Sequence, residues 1–249
     1  MTRQQHTESD AHPTTALITG AAHGLGLETA RQLAATGVHV VIAARDPQRA
    51  AAAAQQLDGA EALPVGLDIS DAESVAGAVA AFGAHPGRLD ILINNAAAHP
   101  NRFETATEAD LAAAAEVIEV NLFGAWRMTQ AFLPLLRRSD RPRIVNVSSG
   151  AGSHGDPQYG FPLAGGAAAI HGISKAALNA FTAALAAELA DTPIIVNAVC
   201  PGVTATHPGA EHLDARPVAQ SAPGVVWAAT LPDDGPRGGL FRDRETLAW

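Results

Sequence analysis

The chain has 249 residues, 47% of them apolar, enough for one large α/β domain with a sizeable core. Its formal net charge is −9, with no block of lysine or arginine, which argues against nucleic acid or an anionic membrane surface as the main partner. The single cysteine, Cys200, rules out an intrachain disulfide and points to a reducing, cytoplasmic setting, and no apolar run reaches the length of a membrane span.

Residues 1–14 are polar with mixed charges and lack an apolar signal core, so they read as a flexible tail. Residues 15–249 show no composition break and read as a single domain. Ala16, Leu17 and Ile18 form a short buried strand. Gly20, Gly24 and Gly26 follow, and a helical pattern begins at once with Leu25, Leu27, Ala30 and Leu33. A strand that feeds a helix through glycines gathers unpaired N–H groups and the positive helix end at one point, which suits a phosphate. The spacing is Gly-x-x-x-Gly-x-Gly rather than Gly-x-Gly-x-x-Gly.

The second strand, Val38 to Ala43, leads to Arg45. In a dinucleotide fold an acid at this place favours a free ribose 2′-hydroxyl, and an arginine favours a 2′-phosphate. Arg45, with His23 as a second contact, therefore points to NADP, against the alternative of a solvated strand-end residue. A helix over Asp46–Leu57 precedes a third strand, Leu63 to Leu67, which ends at Asp68-Ile69-Ser70-Asp71. Ser70 is the expected N-cap of the next helix. Asp68 either accepts a bond from an adenine amino group or caps a turn. A fourth strand, Leu89 to Ile93, runs into Asn94-Asn95-Ala96, a tight turn fit to lie against a ligand.

One long helix is expected from about Glu108 to Arg138, and Asn121 inside it needs an account. The fifth strand, Ile144 to Val147, ends in Ser148-Ser149-Gly150. A glycine- and proline-rich loop follows over residues 150–170 and holds Tyr159, the only tyrosine. The next helix carries His171 and Lys175, four apart and so on one face, about 6 Å apart along the axis. A sixth strand, Ile194 to Val199, leads to Cys200-Pro201-Gly202, then an irregular flap from Thr204 to Ser221, a short helix over Pro223–Leu231 and a last edge strand over Gly238–Phe241. His154 and His207 are near the cleft in sequence, but no two-His spacing with carboxylates argues for a metal. The strand–helix alternation predicts a doubly wound parallel sheet, Rossmann-like, with helices on both faces and a cleft at the carboxyl ends of its strands.

Several of these stretches occur together in one known pattern: Thr19-Gly20-Ala21-Ala22-His23-Gly24-Leu25-Gly26, Asp68, Asn94-Asn95-Ala96, Asn121, Val147-Ser148-Ser149, Ser174-Lys175-Ala176-Ala177-Leu178-Asn179 and Pro201-Gly202. In this order the chain resembles the short-chain dehydrogenase/reductase family over nearly its whole length. The stretch from Leu231 to Trp249 is similar to the carbonyl-reductase-like branch that uses NADPH. The resemblance implies that Gly20, Gly24 and Gly26 hold the pyrophosphate, Asp68 contacts adenine, Asn95 lines the cofactor cleft and Lys175 binds the nicotinamide ribose. It extends the cofactor-contacting set to Thr19, Leu25, Ile69, Ala96, Pro201, Gly202, Val203 and Thr204. Ser149 would hydrogen-bond the substrate carbonyl, and Asn121 would hold a water that links Lys175 to solvent. By the same analogy the chain forms a homodimer or homotetramer through its two long helices.

One position departs from the pattern. The family's general acid is a tyrosine four residues before the lysine, and here that place is taken by His171. A histidine starts near pKa 6.5, and the adjacent Lys175 ammonium pushes it lower, so the imidazole is mostly neutral at neutral pH. Three readings follow. His171 polarises a carbonyl together with Ser149 in a slow or specialised ketone reductase; or it serves enone reduction, ring closure or isomerisation as donor or base; or the site is silent and the chain is an NADP-binding regulator. The expectation is an NADPH-dependent reductase of a carbonyl or conjugated carbonyl on an apolar small molecule, catalysed through Asn121, Ser149, His171 and Lys175.

Overall fold

The computed structural model describes residues 13–83, 87–100, 104–161, 166, 168–206 and 215–249. Most of the expected tail (1–12), the centre of the expected flap (207–214, His207 included) and part of the long loop (162–165 and 167) lie outside the described residues.

Strands β1 (Thr15–Thr19), β2 (His39–Ala43), β3 (Ala60–Ala62), β4 (Ile91–Asn94), β5 (Arg143–Val147), β6 (Ile195–Val199), β7 (Leu240–Arg242) and β8 (Glu245–Leu247) form one sheet in the order β3-β2-β1-β4-β5-β6-β7-β8. Every pairing is parallel except β7 with β8. Successive side chains of a strand point to opposite faces, and both faces here are covered. Leu17, Val41, Leu92, Ile144 and Val196 pack on one side with α3 (Ala72–Phe82), α5 (Ala125–Leu136) and α6 (Ala169–Glu188). Ala16, Ile18, Val40, Ile42, Ile93 and Val145 pack on the other with α1 (Gly24–Ala34), α2 (Pro47–Ala54) and α7 (Val218–Ala229). The strand order reverses between β1 and β4, so the loops after these two strands diverge and open a crevice.

Four local expectations are corrected. The third strand is Ala60–Ala62, paired with Val40–Ile42, and not Leu63–Leu67. Leu63 and Leu67 are buried, but Pro64 between them has no N–H to give a ladder, and the apolar run packs without continuing the strand. The cap of α3 is Asp71, whose carboxylate accepts the Glu73 N–H, while Ser70 donates to Asp68. The long helix is three pieces: α4 (Leu111–Ile118), a π-helical segment (Glu119–Gly124) and α5. The sheet ends not at β7 but at β8. The two-residue turn Asp243-Arg244, both at positive φ, folds β8 back on β7.

Candidate active site

The crevice is built first by backbone. Gly20 and Gly24 have φ of +65° and +57°, open to glycine and strained for other residues. A Cβ on Gly20 would stand 2.9 Å from Ala96 Cα, so the glycine turn rests directly on the turn after β4. Thr19 Oγ1 accepts the N–H groups of Asn95 and Ala96, both at 3.0 Å. Asn95 Nδ2 donates back to Thr19 O at 2.9 Å and Gly20 O at 3.2 Å. Two loops that are 75 residues apart in the chain are thereby fixed as one surface.

The N-terminus of α1, like those of α6 and α7, carries no side-chain cap. Helices α2, α3 and α4 are each capped by an aspartate, Asp46, Asp71 and Asp110. His23 at the N-cap of α1 makes no side-chain cap hydrogen bond, and the first turn has no acidic residue. The N–H groups of this turn and the positive end of the helix are thus left for an anion, and Leu25 anchors the turn in the core. This is the observation that the pyrophosphate of a dinucleotide fits. His23 and Arg45 are both exposed at this edge. Asp68 Oδ1 accepts the N–H and hydroxyl of Ser70, and these bonds hold its carboxyl below the usual carboxylate range, with smaller help from Arg45 and Arg127. Its turn-capping role is therefore built in. Ile69 packs on Gly124 of the π segment, where a Cβ would come within 2.7 Å of its side chain, and its carbonyl accepts Arg127 Nη1.

On the far side of the crevice α6 presents Lys175 and His171. Lys175 is 4% exposed, and its ammonium donates to Val147 O at 2.9 Å. Burial pulls its pKa down to about 8, with the Cys200 sulfur working in the other direction. Burial above all, then the charge of Lys175 and then His99, pushes His171 down to about 3. The imidazole is neutral at neutral pH, and its Nδ1 is buried without a hydrogen-bond partner among the described residues. The ring stacks on that of His99, centroids 5.1 Å apart and planes 21° apart.

Asn121, in the π segment, accepts the Ala98 N–H at 2.8 Å and donates Nδ2 to Ala98 O and to Ser174 Oγ, both at 3.0 Å. A π segment breaks the regular ladder and turns this side chain inward, which explains a buried asparagine in a helical stretch. Ser149, directly after β5 and Ser148, caps a short turn by accepting the Ala151 N–H.

The loop after Ser149 is tied down by the C-terminal hairpin. Ser153 Oγ donates to Ala248 O at 2.7 Å, and Arg242 pairs with the buried Asp156. Burial pushes the Asp156 carboxyl up, but Arg242 and the N–H groups of Gln158 and Tyr159 outweigh it and hold the group below its ordinary value. The Arg242 guanidinium lies 5.1 Å from the Tyr159 ring centroid. Tyr159 lines a cavity of about 200 Å³ with Gln158, Gly202, Val203, Arg216, Arg242 and Asp243. Arg216 donates to Pro201 O and pairs with Asp243, which fixes the Pro201–Thr204 turn, and Thr204 Oγ1 bonds Ser221 Oγ. Among the described residues no group of three or more His, Cys, Asp or Glu side chains is placed to hold a metal.

The structure thus brings Thr19, Gly20, Gly26, Asn95 and Ala96 together, and Asn121 with the helix of His171 and Lys175. Arg45 and Asp68 share the opposite end of the crevice. His99, Arg216 and Arg242 escaped sequence reasoning. His99 had one signal, its place just past the Asn94-Asn95 turn.

Residues 14–216 match the model of the short chain dehydrogenase family. The chain belongs to that family. A short-chain dehydrogenase of Penicillium roqueforti, anuI, is 37% identical over 244 residues, covering 93% of this chain and 94% of the relative. The NADPH-bound carbonyl reductase from chicken fatty liver superposes with a TM-score of 0.79 at 27% identity, covering 96% of this chain and all of that one. The 3-ketoacyl-(acyl-carrier-protein) reductase of Brucella melitensis, complexed with NADH, gives 0.78 at 26% identity over 92% and 96% of the two chains. Membership and these neighbours support an oxidoreductase role with a nicotinamide cofactor. Among the described residues no helix is long and apolar enough to cross a membrane.

Proposed function

We propose that the chain is an NADPH-dependent reductase of a carbonyl, or conjugated carbonyl, on an apolar small molecule. The observation that carries this reading is the pairing of two features across one crevice: an uncapped helix N-terminus reached through Gly20 and Gly24, and a buried lysine on α6 facing the same strand ends. NADPH, when bound, supplies the hydride. Gly20, Gly24 and Gly26 leave room for its pyrophosphate, Arg45 and His23 offer charge and hydrogen bonding to a 2′-phosphate, and Asp68 and Ile69 border the adenine end. Asn95 and Ala96 line the cleft, Lys175 binds the ribose next to the nicotinamide, and Pro201, Gly202, Val203 and Thr204 border the nicotinamide. The carbonyl-reductase-like branch is supported by the chicken enzyme's likeness over 96% of this chain.

Ser149 and His171 orient the substrate oxygen. A neutral imidazole donates a hydrogen bond but holds no spare proton. The ammonium of Lys175, with a pKa of about 8, is the group in this site able to give one near neutral pH. A second reading keeps neutral His171 as a hydrogen-bond donor in ring closure or isomerisation, with cofactor bound and not consumed, since a pKa of about 3 makes the imidazole a weak base. The exposed Leu111, Phe123, Trp126 and Ile173, all on the α4-to-α5 stretch or α6, support a homodimer or homotetramer through these helices.

The test is NADPH consumption against a panel of ketones and enones, with NADH alongside. Consumption with a subset of apolar substrates is expected, and His171→Tyr should raise reduction of simple ketones. Tight NADPH binding with no consumption on any substrate would overturn the reductase reading, and substrate rearrangement without consumption would establish the second.

A further inference from the structure

The side chain that stands in the acid position is not alone. His99 lies on the loop after β4, far from α6 in sequence, yet its ring stacks on that of His171 at 5.1 Å and 21°. Both rings are positioned through one amide. Asn121 holds Ala98, the residue before His99, by its N–H at 2.8 Å and its C=O at 3.0 Å. The same side chain donates to Ser174 Oγ, and Ser174 Oγ donates to the backbone carbonyl of His171 at 2.8 Å. One buried asparagine therefore sets the loop carrying His99 against the helix turn carrying His171. The π segment exists at the point where this asparagine must face inward.

The geometry matters because His171 lacks the usual means of fixing an imidazole. A ring is normally held in one orientation and tautomer by a hydrogen bond at its second nitrogen. Here Nδ1 is buried without such a partner among the described residues. Stacking against a second flat ring restricts rotation about the Cβ–Cγ bond without needing that hydrogen bond. We propose that His99 is a positioning residue for the reaction, holding the His171 ring face-on so that Nε2 meets the substrate oxygen. This rests on the reading of His171 as the group that orients that oxygen. It also gives Asn121 a task beyond packing, since its amide connects both members of the pair.

The experiment compares wild type, His99→Ala and His99→Phe. Nitrogen-15 NMR of the His171 ring reports tautomer and ring mobility, and steady-state kinetics with NADPH reports kcat and KM. NADPH affinity serves as the control for intact fold and crevice. Wild type should show an ordered His171 ring. His99→Ala should show an exchanging ring, a kcat lower by about 10- to 100-fold, and NADPH affinity within about 2-fold of wild type, as expected of a group displaced by about an ångström. His99→Phe keeps a flat ring and should restore most of kcat. An unchanged His171 spectrum in His99→Ala overturns the proposal, and so does a His99→Phe variant as slow as His99→Ala. If wild type turns over no substrate, the reductase reading fails while the NMR comparison still decides whether His99 holds the ring.

Discussion

Adding one methyl group at Gly26 separates the packing account of the glycine turn from a purely conformational one. Gly26 does not have a positive φ, so an alanine there meets no backbone strain. What it meets is space already filled: Asn95 Nδ2 at 2.5 Å, and Ala21 Cα and Gly20 O at 2.8 Å. Two of these three are backbone and cannot swing aside. Overpacking of this kind costs about 1–3 kcal/mol. Displacing Asn95 Nδ2 also weakens its bonds to Thr19 O and Gly20 O, worth about 1 kcal/mol each. The gain in helix propensity returns at most about 1 kcal/mol. The net loss for Gly26→Ala is about 1–4 kcal/mol, or about 3–12 °C in Tm for a chain of this size. Gly77→Ala is the matched control: it sits in the exposed part of α3 with nothing within 4 Å of an added Cβ. That variant should gain about 0.5–1 kcal/mol. Circular dichroism melts of both, with NADPH titration of Gly26→Ala, make the comparison. Equal Tm shifts in the two variants, or unchanged NADPH affinity in Gly26→Ala, would refute the packing argument.

Three further outcomes follow from the charged groups. His171 has its folded-state pKa lowered to about 3, so as pH falls the unfolded chain takes up its proton first. Stability is therefore lost from about pH 6.5 down to about pH 3, by about 1.4 kcal/mol per pH unit from this group. In urea unfolding, the stability difference between about pH 6.5 and pH 4.5 should be about 2–3 kcal/mol smaller in His171→Gln, and an equal difference in both would contradict it. Arg242→Met leaves Asp156, whose side chain is fully buried, without its ion partner, and should cost about 3 kcal/mol or more in the same assay. A loss below about 1 kcal/mol would show that the loop after Ser149 does not depend on this pair. Arg45→Ala should weaken NADPH by about 10-fold or more while leaving NADH nearly unchanged, read by fluorescence titration. Equal effects on both would remove the 2′-phosphate assignment.

The sheet was legible because each central strand is a short apolar run bounded by glycine, proline or small polar residues. Burial and backbone pairing coincide in β1, β2, β4, β5 and β6, so hydropathy located them. They do not coincide at the edge. Leu63 and Leu67 are buried by packing, while the residues that pair with β2 are the half-buried Ala60, Glu61 and Ala62. The π segment was hidden for a related reason. Apolar spacing continues through Glu119–Gly124, and only the hydrogen-bond ladder changes; Asn121 was the trace it left. Motif spacing singled out the glycines, Asn95, Ser149, His171 and Lys175 as candidates. The pairing of His99 with His171 was hidden because α4, the π segment, α5 and β5 lie between them in the chain and the contact has no fixed spacing. Arg242 was hidden likewise, since its carboxylate partner is 86 residues away.

Transfer of a labelled hydride tests the central claim most directly. The protein would be incubated with NADPH carrying deuterium at the transferable C4 position and with the best ketone or enone from the panel, and the product analysed by mass spectrometry. The account predicts a reduced product carrying one deuterium, formed by wild type and lost in Lys175→Met. Deuterium retained in intact NADPH while no reduced product forms would contradict it.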